Sequence, residues 1–146
     1  MTRLPAWLVL VALAVVAWPA WADCPLDLGH GTGWVVFSQH FMIAFRPDPP
    51  RLESGDPLAL ILNVCTKGGD AAQLVAVEVH RIDDTSSSKR DSTPADAPHL
   101  TIVPGKDGRY RAEGLLLPAA GRWEVTFDVR SGQDSERLTH EIVIRQ

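Results

Sequence analysis

The chain has 146 residues, 45% of them apolar and 22% charged, and a formal net charge of −4. That is long enough for one domain, too short for two ordinary ones, and too apolar for a disordered chain. The acidic balance argues against a nucleic-acid partner, which is held by clusters of Lys and Arg, and against a polybasic membrane-surface protein.

The N-terminus has the layout of a secretory signal. Arg3 supplies a short positive region, and Trp7 to Trp18 is an unbroken apolar run of twelve residues. Pro19 breaks that run, and Ala20-Trp21-Ala22 has the small-x-small pattern that signal peptidase cleaves. The reading is a signal peptide over 1–22, cleaved after Ala22, and a mature domain over 23–146 in a bacterial periplasm. The run is shorter than the roughly 20 apolar residues a bilayer span needs. An uncleaved anchor is the alternative, and only then would the protein contact a membrane. Asp23 before Cys24 does not suit lipid attachment. The two cysteines, Cys24 and Cys65, both fall in the mature part. An even count in an exported chain points to one disulfide, worth about 4 kcal/mol in the chain-entropy model. Two separate thiols are the alternative.

After residue 22 no amphipathic helix stands out, and period-two alternation dominates. Trp34 to Arg46 reads as one extended apolar segment with Phe41, Ile43 and Phe45 on one face, stopped by Pro47, Pro49 and Pro50. Glu53 to Pro57 is turn chemistry. Leu58 to Thr66 is a strand with Leu58, Leu60, Leu62 and Val64 on one face and Ala59, Ile61 and Cys65 on the other. Lys67 to Asp70 is a turn. Gln73 to Ile82 is a strand expected to place Val75, Val77 and Val79 inward and Glu78 and His80 outward. Residues 83–98 have no large apolar side chain and read as a long exposed loop. Leu100 to Val103 and Arg109 to Leu117 follow as strands. Arg122 to Arg130 alternates most cleanly, with Trp123, Val125, Phe127 and Val129 on one face, so Trp123 is expected to anchor the core. Glu136 to Arg145 closes the chain with Leu138, His140, Ile142 and Ile144 on one side. About seven strands with turns at short intervals predict an all-β fold, an immunoglobulin-like antiparallel β-sandwich. Asp107-Gly108-Arg109-Tyr110 is similar to a tyrosine corner, in which the Tyr hydroxyl ties back to nearby backbone.

The stretch Asp107 to Val129, DGRYRAEGLLLPAAGRWEVTFDV, resembles the C-terminal half of YtkA-like domains, small exported β-sandwiches related in style to the periplasmic part of FixH-type proteins. The shared features are a Gly-x-Tyr strand, an apolar strand ending in a Pro/Gly turn, and an alternating Gly-x-Trp strand. The resemblance covers about half of the mature chain and carries fold more than function. Several relatives have a Met- and His-rich stretch after the third strand that could bind copper. Here His80 is followed instead by Arg81-Ile82-Asp83-Asp84, and Pro118-Ala119-Ala120 replaces a His-Met pair.

Soft Met and imidazole ligands suit copper in an oxidising compartment. On that ground the metal candidates are His40 and Met42, two apart in the first extended segment, with His30 in the Gly-rich stretch upstream. His80 and His99, flanking the long loop, are a further candidate pair, and His140 reads as a core or rim residue. There is no Gly-x-Ser-x-Gly elbow, no His-Glu-x-x-His and no phosphate loop, so no enzyme is expected. The function expected is a non-catalytic periplasmic module that binds another protein, as an accessory of an exported redox or assembly system. The alternative is a copper carrier. No other cofactor is expected.

Overall fold

The computed structural model describes residues 28–29, 33–82 and 100–146. The signal segment 1–22, Cys24, His30, the expected loop 83–98 and His99 lie outside them. Among the described residues there is no helix. Eight strands form two antiparallel sheets: β1 Trp34–Phe37, β2 Phe41–Asp48, β3 Pro57–Thr66, β4 Gln73–Arg81, β5 Thr101–Pro104, β6 Arg109–Leu116, β7 Gly121–Ser131 and β8 Asp134–Ile144. The five-stranded sheet has the order β1-β2-β3-β6-β5 and the three-stranded sheet the order β4-β7-β8. The chain changes sheets between β3 and β4, between β4 and β5, and between β6 and β7. This is the immunoglobulin-like antiparallel β-sandwich that the alternation predicts.

The core lies between the sheets. Phe41, Ile43 and Phe45 of β2 and Leu60 and Leu62 of β3 are fully buried, and they face Val125, Phe127 and Val129 of β7. Each set is spaced by two, as burial on one face of a strand requires. Trp123 is 7% exposed, and its indole Nε1 donates to the Ala119 carbonyl at 3.1 Å. The ring is therefore buried with its one polar atom satisfied.

Four details depart from the sequence reading. First, the segment from Trp34 onward is a hairpin of β1 and β2. Ser38 N donates to the Phe41 carbonyl at 3.0 Å, and Phe41 N donates to Ser38 Oγ at 3.0 Å, which closes a tight turn over Gln39 and His40. No Gly, Pro or Asn marks this turn, and the three polar residues Ser38, Gln39 and His40 are its sequence signal.

Second, β2 runs through Pro47 to Asp48. Pro47 lies past Phe45, the last residue of β2 that β1 pairs, so its missing donor costs no β1–β2 hydrogen bond. Pro49 and Pro50 follow the strand end.

Third, Val75 is 51% exposed, while Leu74 and Val77 are buried. The β4–β7 register shifts between Leu74 and Ala76, opposite Val129 and Asp128. One extra residue in a strand reverses the faces on either side of it, and Val75 is that residue. A comparable irregularity in β6, opposite Leu58 to Leu60, lets Ala112 and Leu115 both point inward, with Gly114 at φ 87° between them. That left-handed conformation strongly favours glycine.

Fourth, the Tyr110 hydroxyl donates to the Ala72 carbonyl at 3.1 Å. It therefore ties β6 to the β3–β4 connection and not to nearby upstream backbone. The turn before it does need its glycine. A Cβ on Gly108 would come within 2.4 Å of the Val64 carbonyl oxygen, and Gly108 sits at φ +76°.

The bulge sets a test. Val75→Lys should change stability by no more than about 0.5 kcal/mol. Val77→Lys, which buries an unpaired charge, should cost more than about 4 kcal/mol. Denaturant melts of the two variants decide. Equal losses would put Val75 in the core.

Candidate functional site

The β1–β2 hairpin is the part of the described surface least explained by packing. Its four strand residues, Trp34-Val35-Val36-Phe37, are all aromatic or β-branched, which favours an extended chain. Trp34 and Val36 turn inward, opposite Phe45 and Ile43. Val35 and Phe37 turn outward and are 41% and 59% exposed. Among the described residues β1 is an edge strand, bonded to β2 and to no other strand. An exposed apolar edge strand is a surface that proteins usually blunt with charge or cover.

Two contacts fix the hairpin to the other sheet. The Trp34 ring lies 5.2 Å from Phe45 and 5.7 Å from His140 of β8, and Phe45 meets His140 edge-on at 5.5 Å. At the turn, His40 Nδ1 pairs with the Glu136 carboxylate at the start of β8. The Glu136 carboxyl is held below its ordinary range, chiefly by the Ser38 hydroxyl and then by His40. Ser38 and His40 thus belong to a clip between the turn and β8. Burial pushes the His140 imidazole down, with the Glu141 charge opposing, which favours the neutral ring among its aromatic neighbours.

The candidate metal ligands are placed apart in role. His40 lies in the turn and is engaged by Glu136. Met42 is on β2, directly opposite Phe37 on one side and Cys65 on the other. His30 lies outside the described residues. His80 Nε2 pairs with Glu124 at 2.8 Å, and its suggested companion His99 is also outside. Among the described residues no three His, Cys, Asp or Glu side chains gather as a metal site.

The outer face of the three-stranded sheet has a different character. The Arg122 guanidinium donates to both Glu141 oxygens at 2.6 and 2.7 Å, and Arg137 donates to both Asp128 oxygens at 2.7 and 2.8 Å. Arg137 holds the Asp128 carboxyl below its usual range. These cross-strand pairs match charge with charge within the sheet. Two exposed valines, Val143 at 58% and Val75 at 51%, share this face with them.

Sequence reading did not single out Val35, Phe37, Ser38 or Glu136. The period-two placement of Val35 and Phe37 against Trp34 and Val36 was the available signal. The pairing of Ser38 and His40 with a residue almost a hundred positions away had none.

No protein-family model, no curated protein and no solved structure matches the chain.

His140 sets a pH dependence. Its folded-state pKa lies below the ordinary value of 6.5, so the unfolded chain binds the proton more readily. Its contribution is fully present above about pH 6.5 and is lost as the pH falls toward the folded-state value. Denaturant midpoints measured between about pH 5 and 7.5 should fall on acidification, and His140→Phe should flatten that slope. An unchanged slope in His140→Phe would remove His140 as its source.

Proposed function

We propose that the chain is a non-catalytic β-sandwich of an exported compartment that binds another protein through the outer edge of its β1–β2 hairpin. The observation that carries this reading is the pair Val35 and Phe37, exposed side by side on an edge strand that is itself fixed to both sheets. Aromatic and aliphatic side chains on a rigid edge are what the centre of a protein interface uses. Met42 lies beside Phe37 on the same face and adds an adaptable thioether. On the outer face of the other sheet Arg122 and Arg137 are paired with Glu141 and Asp128.

The N-terminal signal pattern supports export to the periplasm, with cleavage after Ala22. The likeness to YtkA-like domains points the same way, since it implies a small exported β-sandwich. A partner within an exported redox or assembly system fits that compartment. The Cys24–Cys65 disulfide belongs to the same reading.

Photocrosslinking in an exporting bacterial host tests the surface. A benzophenone residue at position 37 should capture a partner as a discrete adduct, and the same probe at Val143 should not. Phe37→Asp should abolish the adduct captured from position 35. The absence of an adduct at 35 and 37, or equal capture at 143, would contradict the reading.

A further inference from the structure

The hydrogen-bond pattern of the β1–β2 hairpin fixes which backbone groups β1 turns to its open side. Ser38 N donates to the Phe41 carbonyl across the turn, so Ser38 and Phe41 form a hydrogen-bonded pair. Bonded and non-bonded pairs alternate along an antiparallel ladder, so Val36–Ile43 and Trp34–Phe45 are the next bonded pairs. Val35 and Phe37 fall between them. Their N–H and C=O groups therefore point away from β2, and among the described residues no strand lies on that side. The side chains of the same two residues are the exposed ones, at 41% and 59%. Among the described residues the other sheet edges are β4, β8 and β5, and each carries a feature that discourages pairing. β4 has its bulge at Val75 together with Glu78, His80 and Arg81, β8 carries Glu136, Arg137 and Glu141, and β5 ends at Pro104. β1 has no charged residue, no proline and no register shift.

We propose that β1 pairs antiparallel with β1 of a second copy of this chain, about a two-fold axis that passes through Val36. In this register Val35 of each copy stands opposite Phe37 of the other, and Val36 stands opposite its own counterpart. Each Val35–Phe37 pair is a bonded one, because both residues aim their backbone groups at the open edge. An axis through Val35 or through Phe37 leaves outward groups of β1 with no β1 residue opposite, so the Val36 axis is the one that satisfies them all. Directly opposed residues share a face, so each exposed valine packs beside an exposed phenylalanine, a favourable cross-strand pair. The patch is thus self-complementary, as a two-fold interface requires. Charge also permits the pairing. β1 is neutral, and the ion pair of His40 with Glu136 lies at its Ser38 end, whereas His140 lies against Trp34 at the other. Antiparallel pairing carries the Glu136 end of one copy to the His140 end of the other, so the two carboxylates stay apart. Two facing strands of four residues, each about 13 Å long, bury less than the roughly 1,200–2,000 Å² of a stable dimer. The dimer is therefore weak and concentration-dependent. It uses the edge assigned above to a partner, so the second copy and the partner exclude one another, but it does not require that partner to exist.

Sedimentation equilibrium of the purified exported protein is the test. The weight-average mass should rise from one chain toward two between about 10 μM and 1 mM, the range in which small interfaces associate. The mass of one chain throughout, or growth beyond two chains, would overturn the proposal. Val35→Pro removes an outward N–H and leaves the β1–β2 bonds in place, as a proline on an edge strand can, whereas Val35→Ala keeps that N–H. The proline dimer should dissociate roughly tenfold more readily than the alanine dimer. Equal dissociation would mean side-chain contact without strand pairing and would overturn the proposal. If Val35→Pro does not fold, a benzophenone residue at position 37 decides. In a mixture of isotopically heavy and light protein it should join a heavy chain to a light one at a peptide containing Val35, and a crosslink elsewhere or none would overturn the proposal. A partner of different sequence is read separately, from an adduct in the host whose mass is not twice that of the chain, so either reading can fail without the other.

Discussion

Phe45 is the side chain on which the two sheets and the hairpin all converge. It is fully buried, and its ring lies 4.9 Å from Phe127 of the opposite sheet, 5.2 Å from Trp34 of β1 and 5.5 Å from His140 of β8. Tilted aromatic contacts of this kind add about 0.5–1.5 kcal/mol each beyond the area they bury. Phe45 also sits opposite Leu62 and Trp34 in the register, so one residue fixes the pairing of β2 on both sides. Because a one-residue slip would turn every side chain to the other face, this burial also fixes what faces outward. Met42, Ala44 and Arg46 lie on the outer face of the five-stranded sheet because Phe41, Ile43 and Phe45 face the core.

The edges follow from the same constraint. Inward packing of Trp34 and Val36 leaves Val35 and Phe37 no choice but to face out. The clip of Ser38 and His40 on Glu136 then stops the short hairpin from fraying. The exposed apolar pair is thus held rigidly, which lowers the ordering cost of binding to it. The opposite face of the sandwich exposes Val75 and Val143 among cross-strand ion pairs and has no aromatic residue like Phe37 among its exposed large hydrophobic side chains.

Most of the fold was legible because alternation reports a half-buried strand directly. β3, β6, β7 and β8 lie within two residues of the expected positions at each end, and Trp123, Phe127 and Ile142 are buried as their spacing requires. The rest was hidden for local reasons. The β1–β2 turn lacks Gly, Pro and Asn, so only the polar run Ser38-Gln39-His40 marks it within an otherwise apolar segment. The Val75 bulge looks like regular alternation because Leu74, Val75 and Val77 are all apolar. Pro47 reads as a strand end unless the length of its neighbour β1 is known. The candidate site was less legible. His40 and Met42 were noticed for their ligand chemistry, whereas the structure shows His40 clipping a turn and Met42 flanking Phe37 on an apolar surface. Contacts such as His40 with Glu136 and Trp34 with His140 depend on how the sheets stack, which one-dimensional spacing does not encode.

The central claim is that Phe45 joins the two sheets while Phe37, eight positions earlier and on the outer face, contributes nothing to the core. Denaturant melts of Phe45→Ala and Phe37→Ala at neutral pH compare the two directly. The account predicts a loss of about 3–5 kcal/mol for Phe45→Ala, the cost of removing a buried aromatic ring and leaving its cavity. For Phe37→Ala it predicts a change within about 1 kcal/mol. Equal losses, or a Phe45→Ala variant that melts like the unsubstituted protein, would contradict it.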